Sequence, residues 1–217
     1  MARGAAGLPK PTMVVVEDFS VNPSAVRVDQ GIGGVLRRDV SGTSSADSQV
    51  TDADGVRFGI TDGLTRAIGG MGLPVQQATA QSPAGPYVVV RGQVLGINEG
   101  NRTRRTAFGF GAGKSSVRAA AQVIYIAPGA QPQLLQTYQG SVDSGHMPGL
   151  AAGAASAAGG DAAAAVANGG LQVTNAGRAD VSAEAKRLGT RMAVNIGGLF
   201  AEQGWIPQSA VPRPALR

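Results

Sequence analysis

Three glycines at intervals of four, Gly55, Gly59 and Gly63, stand beside an apolar series that only a helix can gather onto one side. The series is Val56, Ile60, Leu64, Ala67, Ile68 and Met71. Its spacing of three and four predicts a helix over residues 50–71 with this stripe facing a core. Each glycine costs about 1 kcal/mol of helix propensity relative to alanine. A helix that carries three of them in a row is held by tertiary packing, and the row implies close approach of a sheet or a partner helix. Gly72 and Pro74 close the helix. Asp47, Asp52, Asp54 and Asp62 are read at its beginning, where carboxylates suit the positive end of the helix dipole.

The rest of the core has to come from small aliphatic clusters, because only 4% of the 217 residues are aromatic and 33 are glycine. Val14-Val-Val16, following Pro9 and Pro11, fits a strand buried on both faces. Residues 22–48 are polar, glycine-rich and without period, and read as a solvated connection. Residues 75–79 suggest an edge strand, and 87–97, 115–126 and 133–142 alternate as strands of an antiparallel meander. A second helical stripe runs through Val181, Ala185, Leu188, Met192, Ala193, Ile196, Leu199 and Phe200, after an expected N-cap at Asp180 and before a C-cap at Gly204.

These elements predict an α+β fold: a mixed, mostly antiparallel sheet of about five strands with two main helices packed on one face. The expected organisation is an N-terminal tail over 1–12, a single domain over 13–206 and a C-terminal tail over 207–217. Within the domain, residues 148–170 are nearly all Ala and Gly, a low-complexity insertion expected to be flexible or loosely helical.

Without cysteine, the chain as given holds no disulfide, thiolate metal site, cysteine nucleophile or lipid-bearing cysteine. No run of about 18 strongly apolar residues predicts a transmembrane helix, and the first residues contain no apolar signal core. A net charge of +5 favours anionic partners without naming one.

The stretch Phe108-Gly-Phe-Gly-Ala-Gly-Lys-Ser115 resembles a phosphate-binding loop but fails on spacing, since Phe108 stands where the loop needs glycine. It fails also on context, because the residues that follow alternate as a strand where a helix is required. The expectation is a glycine-rich hairpin between two strands. Around it lies the densest positive cluster of the chain, Arg102, Arg104, Arg105, Lys114 and Arg118, a candidate site for an anion or an acidic partner. Nucleic acid is disfavoured because only Phe108 and Phe110 are near enough to stack. His146, the single histidine, sits among glycines and proline and reads as a loop residue; no catalytic residues, metal or cofactor are expected.

Leu8-Pro-Lys-Pro11 with Val14-Val-Val-Glu-Asp-Phe19, the turn from Asn101-Arg102 to Gly109-Phe-Gly-Ala-Gly113, and Phe200-Ala-Glu-Gln-Gly-Trp-Ile206 occur in an order that resembles a bacterial family, the domain of unknown function numbered 4410. The resemblance implies small envelope proteins, many starting with a lipoprotein signal, with α/β domains similar to those of outer-membrane assembly lipoproteins. It implies no catalytic residues. This sequence departs from the pattern by lacking the signal and the lipid-bearing cysteine.

The function expected is a non-catalytic cell-envelope interaction or assembly module, with an envelope protein or an anionic lipid surface as partner. Its location is periplasmic or outer-membrane-associated if the native start carries a signal, and cytoplasmic if the sequence is complete as given. Two alternatives stay open: a cytosolic basic module binding nucleic acid, and an enzyme whose site the sequence does not mark. Oligomeric state is left undetermined.

Overall fold

A core poor in aromatics has to be built by bringing backbones close together, and the helix pair does this. The computed structural model describes residues 7–21, 23–27, 45–79, 83–98, 115–143 and 162–212. Helix α1 (Ser45–Gly69) and helix α2 (Ala162–Glu202) run in the same direction. Their seam is the glycine row: a Cβ added at Gly59 would lie 2.7 Å from the Ser182 carbonyl oxygen, and one at Gly63 would strike the Lys186 carbonyl. From the other side, a Cβ at Gly189 would strike the backbone of Ile60. The expected close neighbour is therefore a helix. Val56, Ile60, Leu64, Ile68 and Met71 are buried as the stripe requires.

Asp62 ties the two helices at the rim of this seam. Its carboxylate takes Lys186 Nζ at 2.9 Å from α2 and Arg66 Nε at 2.6 Å from its own helix. The Lys186 ammonium, and after it the Arg66 guanidinium, hold the Asp62 carboxyl below the usual carboxylate range against the opposing effect of desolvation. A carboxyl whose pKa falls on folding adds stability above its unfolded pKa and loses it as pH drops through the folded value. Asp62→Asn is thus expected to flatten the decline of stability below about pH 4, measured by urea unfolding at stepped acidic pH; an unchanged acid slope would contradict the assignment.

Among the described residues the sheet has seven strands: β1 (Met13–Val16), β2 (Ser20–Val21), β3 (Val26–Arg27), β4 (Val75–Gln77), β5 (Tyr87–Asn98), β6 (Ser116–Ile126) and β7 (Gln133–Asp143). β1, β2 and β3 pair in succession along one side of β5, so the order across the sheet has five positions, β4-β1-β5-β6-β7. The long pairs β5–β6 and β6–β7 are antiparallel, which is the meander that alternation predicts. Everything on the other side of β5 is parallel, because α1 carries the chain back between β1 and β4.

Both helices cover the same face. Val14, Val16, Val88, Val90, Val117, Val123 and Tyr125 from the sheet join the helical stripes in one cluster. On the opposite face Val15, Val89 and Ile124 form a small second cluster flanked by Met13, Tyr87 and Ile126. The triple valine is buried on both sides of the sheet, as its lack of alternation implies. Beyond that cluster the uncovered face is mostly polar, with Leu134 exposed beside Ile124.

Several local expectations are corrected. α1 begins at Ser45, so Asp47 alone of the four acids lies in its first turn; Asp52 is buried and Asp54 pairs with Arg57 at 3.1 Å. Within 22–48, Pro23–Ala25 forms a 3-10 turn and Val26–Arg27 joins the sheet, held to α1 by Gln49 Nε2 donating to the Val26 carbonyl at 3.2 Å. α2 runs through Asp180 and starts in the alanine-rich segment, because alanine loses least on entering a helix and needs little burial to continue one. Residues 148–161 of that segment lie outside the described residues.

The end of α2 shows why Gly204 follows it. Gly204, at φ +72°, donates its N–H to Ala201 at 2.9 Å, and Trp205 donates to Phe200 at 2.9 Å. This pair of bonds is a Schellman cap, and the Trp205 ring packs 5.5 Å from that of Phe200. Trp205 also stacks on Tyr125 at 5.7 Å and donates Nε1 to the Leu8 carbonyl at 3.0 Å, while Tyr125 Oη donates to the Pro9 carbonyl at 3.0 Å. The described residues next to each end are therefore tied to the core: Pro11 is buried, and Leu8, Ala210 and Val211 pack against the main cluster.

Candidate anion-binding site

The sheet end from which the 99–114 segment departs carries a groove of about 290 Å³. Register puts its polar side chains together. Ile97 and Val117 turn toward the core, so their neighbours Asn98, Ser116 and Arg118 turn to the uncovered face. Arg27 joins them because β3 pairs Arg27 with Asn98, and Ser24 arrives on the preceding 3-10 turn. A register shift between Val94 and Gly96 leaves Leu95 as an extra residue, a bulge that re-aims this part of β5. Gly96 opposite Arg118 leaves room for the arginine: a Cβ added there would lie 3.1 Å from Nη2.

Arg27 and Arg118 are both exposed, and among the described residues neither guanidinium has a hydrogen-bond or carboxylate partner. Two planar forks with unsatisfied donors, beside an amide and two hydroxyls, suit an oxyanion held by charge-assisted bonds. The nearest carboxylate by register is Asp143, opposite Ser116 on the side of β6 away from Arg27. The groove is lined by Ser24, Arg27, Asn98, Ser116 and Arg118 with Leu95 and Ile97. Among the described residues no group of three His, Cys, Asp or Glu side chains is gathered for a metal.

Of the residues the sequence singles out, Arg118 lies in the groove, whereas Arg102, Arg104, Arg105 and Lys114 lie outside the described residues, as does His146. Residues 108–114 are also outside them. The strand that opens at Ser116 is described, and it stands where a phosphate-binding loop needs a helix. Arg27 was missed because residues 22–48 have no period long enough to mark a two-residue strand. The only sign is the short alternation Val26-Arg27-Val28.

Beneath the same sheet end, on the helix side, lies a buried carboxylate that the sequence reading also missed. Glu184 is 1% exposed, and its Oε1 accepts a hydrogen bond from Ser115 Oγ at 2.7 Å. The available signal is its position: a charge at 184, inside the apolar stripe 181, 185, 188, has to be satisfied internally. It pins the residue at which the basic segment re-enters the sheet.

No helix among the described residues is long and apolar enough to cross a membrane. No curated protein matches the chain in sequence. Among solved structures, a Xanthomonas campestris protein of family DUF330 is similar at 10% identity over 94% of this chain and 95% of its own, with a TM-score of 0.42. A Caulobacter crescentus protein described as a "putative lipoprotein" shows 15% identity over 84% and 90%, with a TM-score of 0.19. Overlaps this loose inform neither fold nor function. The family match is of another kind, since it spans residues 14–160 and so takes in α1, the seven described strands but for Met13, and the basic segment between β5 and β6. The chain belongs to the family described as domain of unknown function DUF4410.

Proposed function

We propose that this chain is a non-catalytic interaction module of the bacterial cell envelope, and that it docks on an anionic lipid surface through the groove between Arg27 and Arg118. The observation that carries the reading is the pair of exposed guanidiniums, without a partner among the described residues, brought into one groove by β3 and β6. In sequence, β5 and β6 flank a segment bearing Arg102, Arg104, Arg105 and Lys114, which adds to the positive charge of the chain. A cysteine-free chain is compatible with an oxidising compartment.

Basic side chains near an anionic bilayer contribute about 1 kcal/mol each. Arg27→Ala with Arg118→Ala is therefore expected to reduce partitioning onto phosphatidylglycerol vesicles by about 30-fold, and Arg102→Ala with Arg104→Ala and Arg105→Ala by more. Vesicle co-sedimentation at low and high salt measures both effects, with phosphatidylcholine as the neutral control. Partitioning unchanged in both variants would remove the groove and the segment from the account. Salt-sensitive binding to duplex DNA, with none to vesicles, would favour the nucleic-acid alternative.

A further inference from the structure

β7 ends the sheet, and among the described residues no strand pairs with its outer side. In an antiparallel ladder every second residue turns its N–H and C=O away from the neighbour, so β7 presents a row of backbone donors and acceptors. Natural edges are blunted by lysine, proline, shortness or bulges. β7 is 11 residues long and contains no Lys, Arg or Pro. Its one irregularity falls at Leu135, which leaves the run 136–143 in unbroken register with β6. The opposite edge, β4, is only three residues long and follows Pro74.

The helix layer above this edge carries two arginines and, further along, one glutamate. α2 lies along β7: Tyr138 Oη donates to the Asn195 carbonyl at 3.1 Å, and Leu188 reaches over Gly140. Arg191 and Arg187 stand one and two turns before Asn195 on the same flank. Both are exposed, and among the described residues neither has a hydrogen-bond or carboxylate partner. Glu202 stands further along, beside the Tyr138 phenol. A strand added to β7 would lie directly beside the two arginines.

We propose that β7 accepts an extended segment of another protein as an eighth strand, and that this segment carries Asp or Glu at the alternate positions facing α2, against Arg187 and Arg191. Backbone pairing with β7 supplies the affinity, and the carboxylates select the partner and its register. The other alternate positions would lie beside the polar row Thr137, Gln139 and Ser141 on the uncovered face. A second copy of this chain is the competing occupant, and Arg187 and Arg191 favour an acidic segment over it. This inference does not depend on the Arg27–Arg118 groove.

The probe is a fluorescent peptide of about ten residues alternating Glu and Thr, compared with its Lys-for-Glu counterpart by anisotropy at low ionic strength. The Glu peptide is expected to bind saturably and about tenfold more tightly than the Lys peptide, and to slow amide exchange within β7. Arg187→Glu with Arg191→Glu, two exposed changes whose folding is checked by circular dichroism, is expected to reverse the preference. Equal binding of the two peptides, absence of binding, or slowed exchange outside β7 would overturn the proposal. So would a concentration-dependent dimer of the wild-type chain that protects β7 without any peptide.

Discussion

Gly63→Ala and Gly189→Ala are each expected to destabilise the fold by about 2 kcal/mol, although alanine alone would favour each helix by about 1 kcal/mol. The sign is set by what the new methyl group meets. At 63 it strikes the Lys186 carbonyl and at 189 the backbone of Ile60, and neither can swing aside as a side-chain tip would. The helices have to separate, and separation loosens a core that has few large side chains to refill the space. Once one substitution has parted the helices the second meets less resistance, so the double variant should fall short of the sum. Gly198 in α2 is the control: nothing lies within 4 Å of its added Cβ, and Gly198→Ala should stabilise by up to about 1 kcal/mol. Urea unfolding of the four variants measures this; a stabilised Gly63→Ala would show that the seam is looser than described.

Trp205→Ala is expected to cost about 3–5 kcal/mol, in the range of other buried aromatic truncations. Trp205 is 3% exposed and joins three parts of the chain: the cap of α2 through Phe200, β6 through Tyr125, and the N-terminal segment through Leu8. Its removal should also free that segment, read as faster exchange of the Thr12 amide that donates to Pro86 at 2.7 Å. Trp205→Phe keeps a ring but loses the Nε1 donor, and should cost only about 1 kcal/mol beyond the change in packing. Equal losses for the two variants would assign the effect to the Leu8 hydrogen bond alone.

The helices were legible because their signal is local and redundant. The stripe from Val56 to Met71 and that from Val181 to Phe200 repeat over several turns, and the glycines beside the first foretold a close neighbour. Strand alternation gave β5, β6 and β7, and the unbroken valines gave burial on both faces of β1. What stayed hidden is non-local. The parallel half of the sheet depends on where α1 returns the chain, and two-residue strands such as β2 and β3 exist only because β5 offers an edge to pair with. α2 extends further back than its apolar stripe because alanine continues a helix without needing burial.

The candidate site was half legible for the same reasons. Arg118 stood out because it clusters in sequence with Arg102, Arg104, Arg105 and Lys114. Arg27 is 91 positions from Arg118 in the numbering and reaches the groove only through the pairing of β3 with the end of β5. Glu184 drew no notice in the sequence; its burial beside Ser115 follows from the sheet packed against α2.

The central claim is that an anion is held between Arg27 and Arg118 on the uncovered face. Titration of the isotopically labelled chain with glycerol phosphate, followed by amide and arginine side-chain chemical shifts, tests it directly. The account predicts saturable shifts centred on Arg27, Asn98, Ser116 and Arg118, weakened by salt and lost in the Arg27→Ala, Arg118→Ala variant. Shifts centred elsewhere, or retained in that variant, would contradict it.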